Sequence, residues 1–459
     1  MPQIQSPAFA RSVLRPLGLA DAKESLEAKL QRIPPVEALA DLPHGTAVWI
    51  RADLDVEDRD GLIGDDPRLE GLHETLEFGR SRGFRMLLIG HRGRKPEQTL
   101  EYVHQKLRVI EPGAGPFIKE WFDERESELT GTAMKAVEAL PPGGFLVLEN
   151  LRRYSFETRL WKAKADEVTA LADGLEKLAR AFRRAATAYV NDAVAASNKD
   201  FSSAVLPLVM DRTALGTFTR RELAEHVVRA REAGLVSFSG LKLDKLSDLH
   251  GIVKRGRVEM ILSGGSLAMA LRKAEAEMRG ADASIGGAED PKRSEEKTYV
   301  PREAIERARR LLDDAKANHV RVLLPVDFVL DDGKVAADIP RERLQCDVGP
   351  KTRRMYESEA LAWAKGTKRK VAFHNGVMGK FEDKTFAGGT EAMIQTLRRL
   401  QTAGVAVYVG GGEGRAALER YGKLSDVTHA FTAGGTILKC LADQPLPFVE
   451  ALAEQSKPA

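Results

Sequence analysis

From Ala47 onward, short apolar, β-branched runs alternate with longer segments of helical period. That is the pattern of βαβ units around a mostly parallel sheet, and it limits the chain to an α/β architecture. The runs fall at 47–51, 85–90, 144–148, 187–190, 234–238, 258–262, 320–325, 370–373, 405–409 and 427–431. So many strands exceed one comfortable open sheet, and a 459-residue chain is too long for a single ordinary core. Two lobes are therefore expected, each a parallel sheet flanked by helices. Residues 214–233 carry Leu215, Phe218, Leu223, Val227 and Val228 at helical spacing without proline, which predicts a long helix joining the lobes. The resulting division is an N-terminal extension (1–35), a first lobe (36–213), the joining helix (214–233), a second lobe (234–440) and a C-terminal segment (441–459). Residues 280–301, rich in Gly, Ala and charge, read as a surface excursion of the second lobe.

In open parallel sheets ligands bind outside the carboxyl ends of the strands. In the first lobe those ends carry Arg51-Ala-Asp53-Leu-Asp55, His91-Arg-Gly-Arg94, Glu149-Asn150-Leu-Arg152-Arg153 and Asn191-Asp192. Each arginine alone also fits a solvated loop, but their repetition at equivalent strand ends points to a small, multiply anionic ligand, because the guanidinium fork binds phosphate or carboxylate oxygens bidentately. The second lobe carries glycine at its strand ends instead: Gly264-Gly265, Gly410-Gly411-Gly412 and Gly434-Gly435, each before a helix-forming stretch. Such turns leave backbone N–H groups and the positive end of a helix dipole facing phosphate. One such turn would equally suit a tight βα loop; three together suggest a nucleotide lobe. No Walker A sequence, protein-kinase glycine loop or dinucleotide fingerprint is present, which argues against a dehydrogenase.

Seventy Lys and Arg against 67 Asp and Glu leave a net charge of +3, too little to argue for nucleic acid or an anionic membrane as partner. No apolar run approaches the length of a membrane span. Cys346 and Cys440 form neither a disulfide framework nor a metal-ligand spacing, so a reducing cytoplasm fits best. The first 20 residues hold Arg11 and Arg15 and no acid, yet lack the Ser and Arg density of a transit peptide; a loosely packed extension is expected.

The ordered motifs resemble phosphoglycerate kinase. In the first lobe these are Arg51-x-Asp53-Leu-Asp55-Val, Asp65-Asp66-x-Arg68, Gly90-His91-x-Gly93-Arg94, Leu148-Glu149-Asn150-Leu-Arg152 and Tyr189-Val-Asn191-Asp192-Ala193. In the second they are Gly240-x-Lys242-x-Asp244-Lys245, Leu324-Pro325-Val-Asp327, Asp347-x-Gly349-Pro350-Lys351-Thr352, Asn375-Gly376-x-Met378-Gly379-x-Phe381-Glu382, Gly410-Gly411-Gly412-Glu413 and Thr432-x-Gly434-Gly435. The resemblance implies two Rossmann-like lobes, a hinge at the joining helix, and a C-terminal segment packed back on the first lobe. It implies reversible phosphoryl transfer between 1,3-bisphosphoglycerate and Mg-ADP by a cytoplasmic monomer. Carried over, Arg51, Asp53, Asp55, Arg68, His91, Arg94, Arg152 and Lys199 would bind phosphoglycerate. Lys242, Lys245, Gly264, Gly265, Asn375, Glu382, Gly410, Gly411, Gly412, Glu413, Gly414, Gly434 and Gly435 would bind nucleotide, with Glu413 toward Mg²⁺. Arg68, Lys242 and Lys245 would act on the transferring group.

Several positions depart from the family pattern. Asp55 stands for asparagine, Lys199 for arginine, and Asn198 and Phe201 for histidines. The Lys242–Lys245 segment is one residue shorter than the family's spacing; Glu413 replaces aspartate, and Gly414, Ala433 and Val377 replace a hydroxyl residue, a glycine and a proline. These departures leave two alternatives: a weak or inactive paralogue that senses nucleotide or an anionic metabolite, and a kinase for another acyl phosphate.

Overall fold

The computed structural model describes Val13, Arg15 and residues 24–58, 60–64, 66–241, 243 and 245–457. The expected N-terminal extension therefore falls largely outside the described residues, as do Asp65, Lys242 and Asp244. The chain divides into two compact units, one running to Glu225 and taking back the residues from Pro445, the other His226–Gln444.

The first unit is built on a six-stranded sheet of β1 (Ala47–Ala52), β2 (Arg85–Ile89), β3 (Ala114–Ile118), β4 (Phe145–Leu148), β5 (Ala188–Asp192) and β6 (Arg212–Leu215), in the order β3-β4-β2-β1-β5-β6. All pairings are parallel. β4 and β5 are buried along their whole length, as strands covered by helices on both faces must be. Helix Pro67–Ser81 begins where the Asp66 carboxylate accepts the Arg68 N–H, with proline in the first turn. That cap holds Arg68 at the carboxyl end of β1. Helix Pro447–Gln455 returns to this unit, where buried Glu450 meets Lys29 of helix Leu26–Arg32 at 2.6 Å.

The second unit repeats the plan with β7 (Leu235–Phe238), β8 (Met260–Ser263), β9 (Arg321–Leu323), β10 (Val371–Asn375), β11 (Ala406–Gly410) and β12 (His429–Ala430), in the order β9-β8-β7-β10-β11-β12 and again all parallel. Beside it lies a small antiparallel sheet of Phe328–Leu330, Val335–Ala336 and Gln345–Val348, which carries no βαβ signature and is not foreseen from the alternation.

Two sequence expectations are corrected here. Ala214 and Leu215 do not open the joining helix; they end β6, buried against Val190 and Asn191 of β5. The helix begins only at Thr217 and passes through a π-helical stretch, Arg221–Val227, before ending at Ala230. Gly216 makes the break: a Cβ there would lie 2.3 Å from the Asp192 carboxyl carbon. The 280–301 stretch is also more than a surface loop, since Ile285 to Ala288 are buried and Ile285 bridges to Ile339. Gly286 permits this with φ +66° where a Cβ would strike the Arg343 carbonyl at 2.2 Å.

Candidate functional site

At the carboxyl end of the first sheet the basic side chains divide into braces and open groups. Arg51 is fully buried and fully committed: Nε donates to Ser202 Oγ (3.0 Å), Nη1 to the Ala52 carbonyl (2.8 Å) and Nη2 to His91 Nδ1 (2.7 Å). It was expected to bind ligand, but it is buried with each of its three nitrogens already bonded inside the protein, so it braces His91. A guanidinium only donates, so His91 Nδ1 is the acceptor and the proton of the neutral ring sits on Nε2. Nε2 faces Asp55 Oδ2 at 3.5 Å. Burial pushes the His91 pKa down, with Arg51 and Arg152 acting in the same direction and Asp55 opposing. Arg92 is likewise a brace, donating to Val56, Thr99 and Asp58.

The open groups converge around this pair. The Asp55 carboxylate accepts the Gly93 N–H (2.6 Å), and its carbonyl accepts from Arg68 Nη1. Burial opposes ionisation of Asp55, yet His91, the Gly93 N–H and Arg68 outweigh it and hold the carboxyl well below the usual range. Asp53 is buried; Oδ2 accepts the Ala195 N–H at 3.2 Å, while Oδ1 has no partner among the described residues. Arg152 Nη1 donates to the Gly93 carbonyl, and its buried Nε is unpartnered. Arg94 is exposed and Lys199 half-buried, and neither side chain is tied down among the described residues. Glu149 and Asn150 fix the loops beneath: Glu149 accepts from Thr99, Leu100 and Asn150, and Asn150 holds the Arg92 and Gln98 carbonyls.

Three residues of this rim escaped the sequence reading: Glu157, Trp161 and Asp200. Glu157 accepts both the N–H and the hydroxyl of Ser202 (2.9 and 2.7 Å); burial, then the charge of Asp200, raises its pKa. Trp161 Nε1 donates to Asp200 Oδ1 at 2.8 Å. The one available signal was a lone indole within a charged loop. Phe201 points away from ligand chemistry, fully buried and packed edge-on to Phe156.

In the second unit the separate glycine turns become one surface. A Cβ on Gly265 would lie 2.6 Å from the Gly240 carbonyl, one on Gly434 2.5 Å from the Gly411 Cα, and one on Gly376 (φ +93°) 2.1 Å from the Ser239 carbonyl. Backbones at that separation leave no room for any other residue. Helices Gly265–Met278, Gly412–Tyr421 and Gly434–Leu441 all begin here. Lys245, at the start of helix Lys245–Lys254, donates to Asn375 Oδ1 at 2.9 Å. A Cβ on Gly240 would sit 3.6 Å from Lys245 Nζ and 4.0 Å from Glu413 Oε2, so cation and carboxylate flank one glycine. Asn375 Nδ2 and Ser239 Oγ are buried without hydrogen-bond partners among the described residues. Gly410, Gly412, Gly414 and Gly435 complete the turns, Gly414 packing 3.6 Å from the Gly376 nitrogen by its Cβ position. Glu382 stands exposed on the turn after Phe381, with no hydrogen bond joining it to this cluster among the described residues. Lys242 lies outside the described residues.

Beneath this rim His374 is buried with Nδ1 against Ser237 Oγ (3.0 Å), and burial pushes its pKa down to about 4. The folded pKa is below the unfolded one, so the stabilisation is complete above about pH 6.5 and is lost as pH falls toward 4. A His374→Gln variant should lack this dependence. The wild type is expected to lose up to about 3 kcal/mol relative to the variant over that window, read from amide-exchange protection of β10. Parallel profiles for the two proteins would contradict the assignment.

A parallel-sheet unit with arginines at its strand ends, together with one whose glycine turns open onto helix N-termini, defines an α/β protein whose two rims carry the chemistry suited to anions. Comparison with known proteins narrows the class. The phosphoglycerate kinase family profile matches residues 39–444. A cytosolic phosphoglycerate kinase 3 of Arabidopsis thaliana is 29% identical over 424 residues, covering 89% of this chain and 96% of its own. The phosphoglycerate kinase of Geotalea daltonii is 30% identical over 431 residues, covering 89% and 96%. Among solved structures, the Pyrococcus horikoshii phosphoglycerate kinase shares the fold with a TM-score of 0.73 at 23% identity, over 92% of this chain and 99% of that one. The chain belongs to the phosphoglycerate kinase family.

Proposed function

We infer that this protein is a phosphoglycerate kinase, transferring a phosphoryl group reversibly between 1,3-bisphosphoglycerate and ADP to give 3-phosphoglycerate and ATP. The observation that carries the reading is the pairing of an open Arg152 edge with the unpartnered, buried Asp53 Oδ1 on one rim. A guanidinium edge takes an oxyanion bidentately, and a lone carboxylate oxygen takes a hydroxyl. Phosphoglycerate carries phosphate, carboxylate and hydroxyl together. Arg94 and Lys199 supply further positive charge, and neutral His91 offers its Nε2–H.

Transfer of this kind needs in-line placement and neutralisation of the charge on the migrating oxygens rather than a covalent enzyme intermediate. Arg68, tethered through the Asp55 carbonyl, supplies charge on the phosphoglycerate side. On the nucleotide side Lys245 and Lys242 supply it, and the turns at Gly264, Gly410 to Gly412 and Gly434 offer backbone N–H groups to phosphate. Glu382 is the candidate for the ribose hydroxyls. A magnesium ion bound through nucleotide phosphates needs only one or two protein carboxylates. Exposed Glu413, in the first turn of its helix and near Lys245, fits that role; Mg²⁺ supplies charge neutralisation of the phosphates when bound. The free, buried Cys346 and Cys440 support a cytoplasmic setting, and no helix among the described residues is long and apolar enough to cross a membrane. A monomer suffices for this chemistry.

A coupled assay with the purified protein, Mg-ATP and 3-phosphoglycerate tests the reading, with Arg68→Ala as the control. Turnover well above that control supports it; turnover no higher sinks it. Asp55 yields a sharper expectation. Its ionised carboxylate sits beside the anion site and repels the substrate, and Asn in its place keeps an oxygen for the Gly93 N–H. Asp55→Asn should lower KM for 3-phosphoglycerate about tenfold, the scale of one like-charge pair roughly 10 Å apart at an effective dielectric of about 20. An unchanged or higher KM would show that Asp55 is compensated by the ligand itself.

A further inference from the structure

We propose that Trp161, held by Asp200, is a positioning residue that fixes Arg152 so that one edge of its guanidinium meets an oxyanion of the substrate. The proposal rests on the phosphoglycerate reading of this rim, and it adds Trp161 and Asp200 to the groups that serve Arg152.

Arg152 is restrained on two sides. Its Nη1 donates to the Gly93 carbonyl, and its Cζ lies 5.0 Å from the centroid of the Trp161 ring. Nε is buried without a partner, and the Nε–Nη2 edge makes no hydrogen bond among the described residues. A planar fork pinned at one nitrogen and covered on one face has little freedom left except to present that remaining edge. Cation–π attraction to indole, stronger where water is excluded, supplies the cover.

The indole is itself fixed. Trp161 belongs to the loop between helices Ser155–Thr158 and Ala165–Ala185, where nothing regular holds it. Its backbone N–H donates to the Thr158 carbonyl at 3.0 Å, and its side chain is restrained by the 2.8 Å bond from Nε1 to Asp200 Oδ1. Asp200 is 1% exposed, and its carbonyl accepts the N–H groups of Ser203 and Ala204 at 3.1 and 2.8 Å, so its backbone cannot drift. Burial lowers the Arg152 pKa, while Asp200, first among the opposing charges, and Asp55 favour the charged form. One residue thus anchors the ring that orients the arginine and also supports the arginine's charge.

Trp161→Ala should raise KM for 3-phosphoglycerate about tenfold while KM for ATP and kcat stay within about twofold. Trp161→Phe keeps a ring near the guanidinium but loses the N–H that Asp200 holds, so it should recover only part of the rise in KM. Trp161 is 38% exposed, whereas Trp49, Trp121 and Trp363 are buried, so added 3-phosphoglycerate should change an emission signal that disappears in Trp161→Phe. An unaltered KM in Trp161→Ala, an equal rise in both KM values, or an emission change that persists in Trp161→Phe overturns the proposal. If the wild type binds 3-phosphoglycerate through this signal yet shows no turnover, the positioning role stands and the kinase reading fails. If it shows turnover but no signal, the positioning role fails alone.

Discussion

Arg68→Ala is expected to reduce kcat by about 10³-fold, the scale on which an arginine acts upon a transferring phosphoryl group. The residue sits in the first turn of helix Pro67–Ser81, and that turn is capped by Asp66 accepting the Arg68 backbone N–H at 2.8 Å, a bond that alanine keeps. The side chain donates to the Asp55 carbonyl, which holds the guanidinium at the strand-end rim rather than in solvent. Losing that hydrogen bond should cost only about 1 kcal/mol of stability. The two effects separate cleanly: steady-state kinetics should show a collapse of kcat, and thermal melts should stay within a few degrees of wild type. A kcat within tenfold of wild type would remove Arg68 from the chemistry and leave it a structural link to the loop carrying Asp55.

Ten of the twelve parallel strands were legible in the sequence because β-branched runs and glycine turns leave local signatures; β3, broken by Gly115 and Pro116, and β6, read into the joining helix, were not. What local pattern could not decide was the direction of a side chain at a strand end. Arg51 and Arg94 look equivalent in sequence, yet Arg51 lies inside with each nitrogen hydrogen-bonded and Arg94 lies in solvent. Ala214 and Leu215 fit either a helix or a strand, and only the pairing with β5 chose between them. Asp200 meets Trp161 across 39 positions of chain, a juxtaposition that spacing does not encode. The glycine cluster is the opposite case. Each turn was visible alone, and the close backbone approaches of Gly240 to Gly265 and Gly411 to Gly434 join them into one surface.

That surface carries the second large expectation. Lys245→Met removes the ammonium group while keeping an unbranched apolar stem of similar length, so packing at the helix start should survive. The lost charge lies 3.6 Å from the Cβ position of Gly240, and Glu413 Oε2 lies 4.0 Å from the same point. Without it, nucleotide phosphates would meet the Glu413 carboxylate with less compensation. Asn375 Oδ1 would also lose its donor beside an Nδ2 that has no partner among the described residues. Both ground-state binding and the developing charge of transfer depend on this group. KM for ATP should therefore rise together with a fall in kcat, and kcat/KM should drop by about 10³-fold. KM for 3-phosphoglycerate should change little, which separates this variant from changes on the arginine rim. Lys245→Arg should restore only part of the loss, because a compact ammonium and a planar fork do not place charge at the same point. If Lys245→Met keeps kcat/KM within tenfold, the cation that serves the nucleotide lies elsewhere, and the shortened segment from Lys242 becomes the place to look for it.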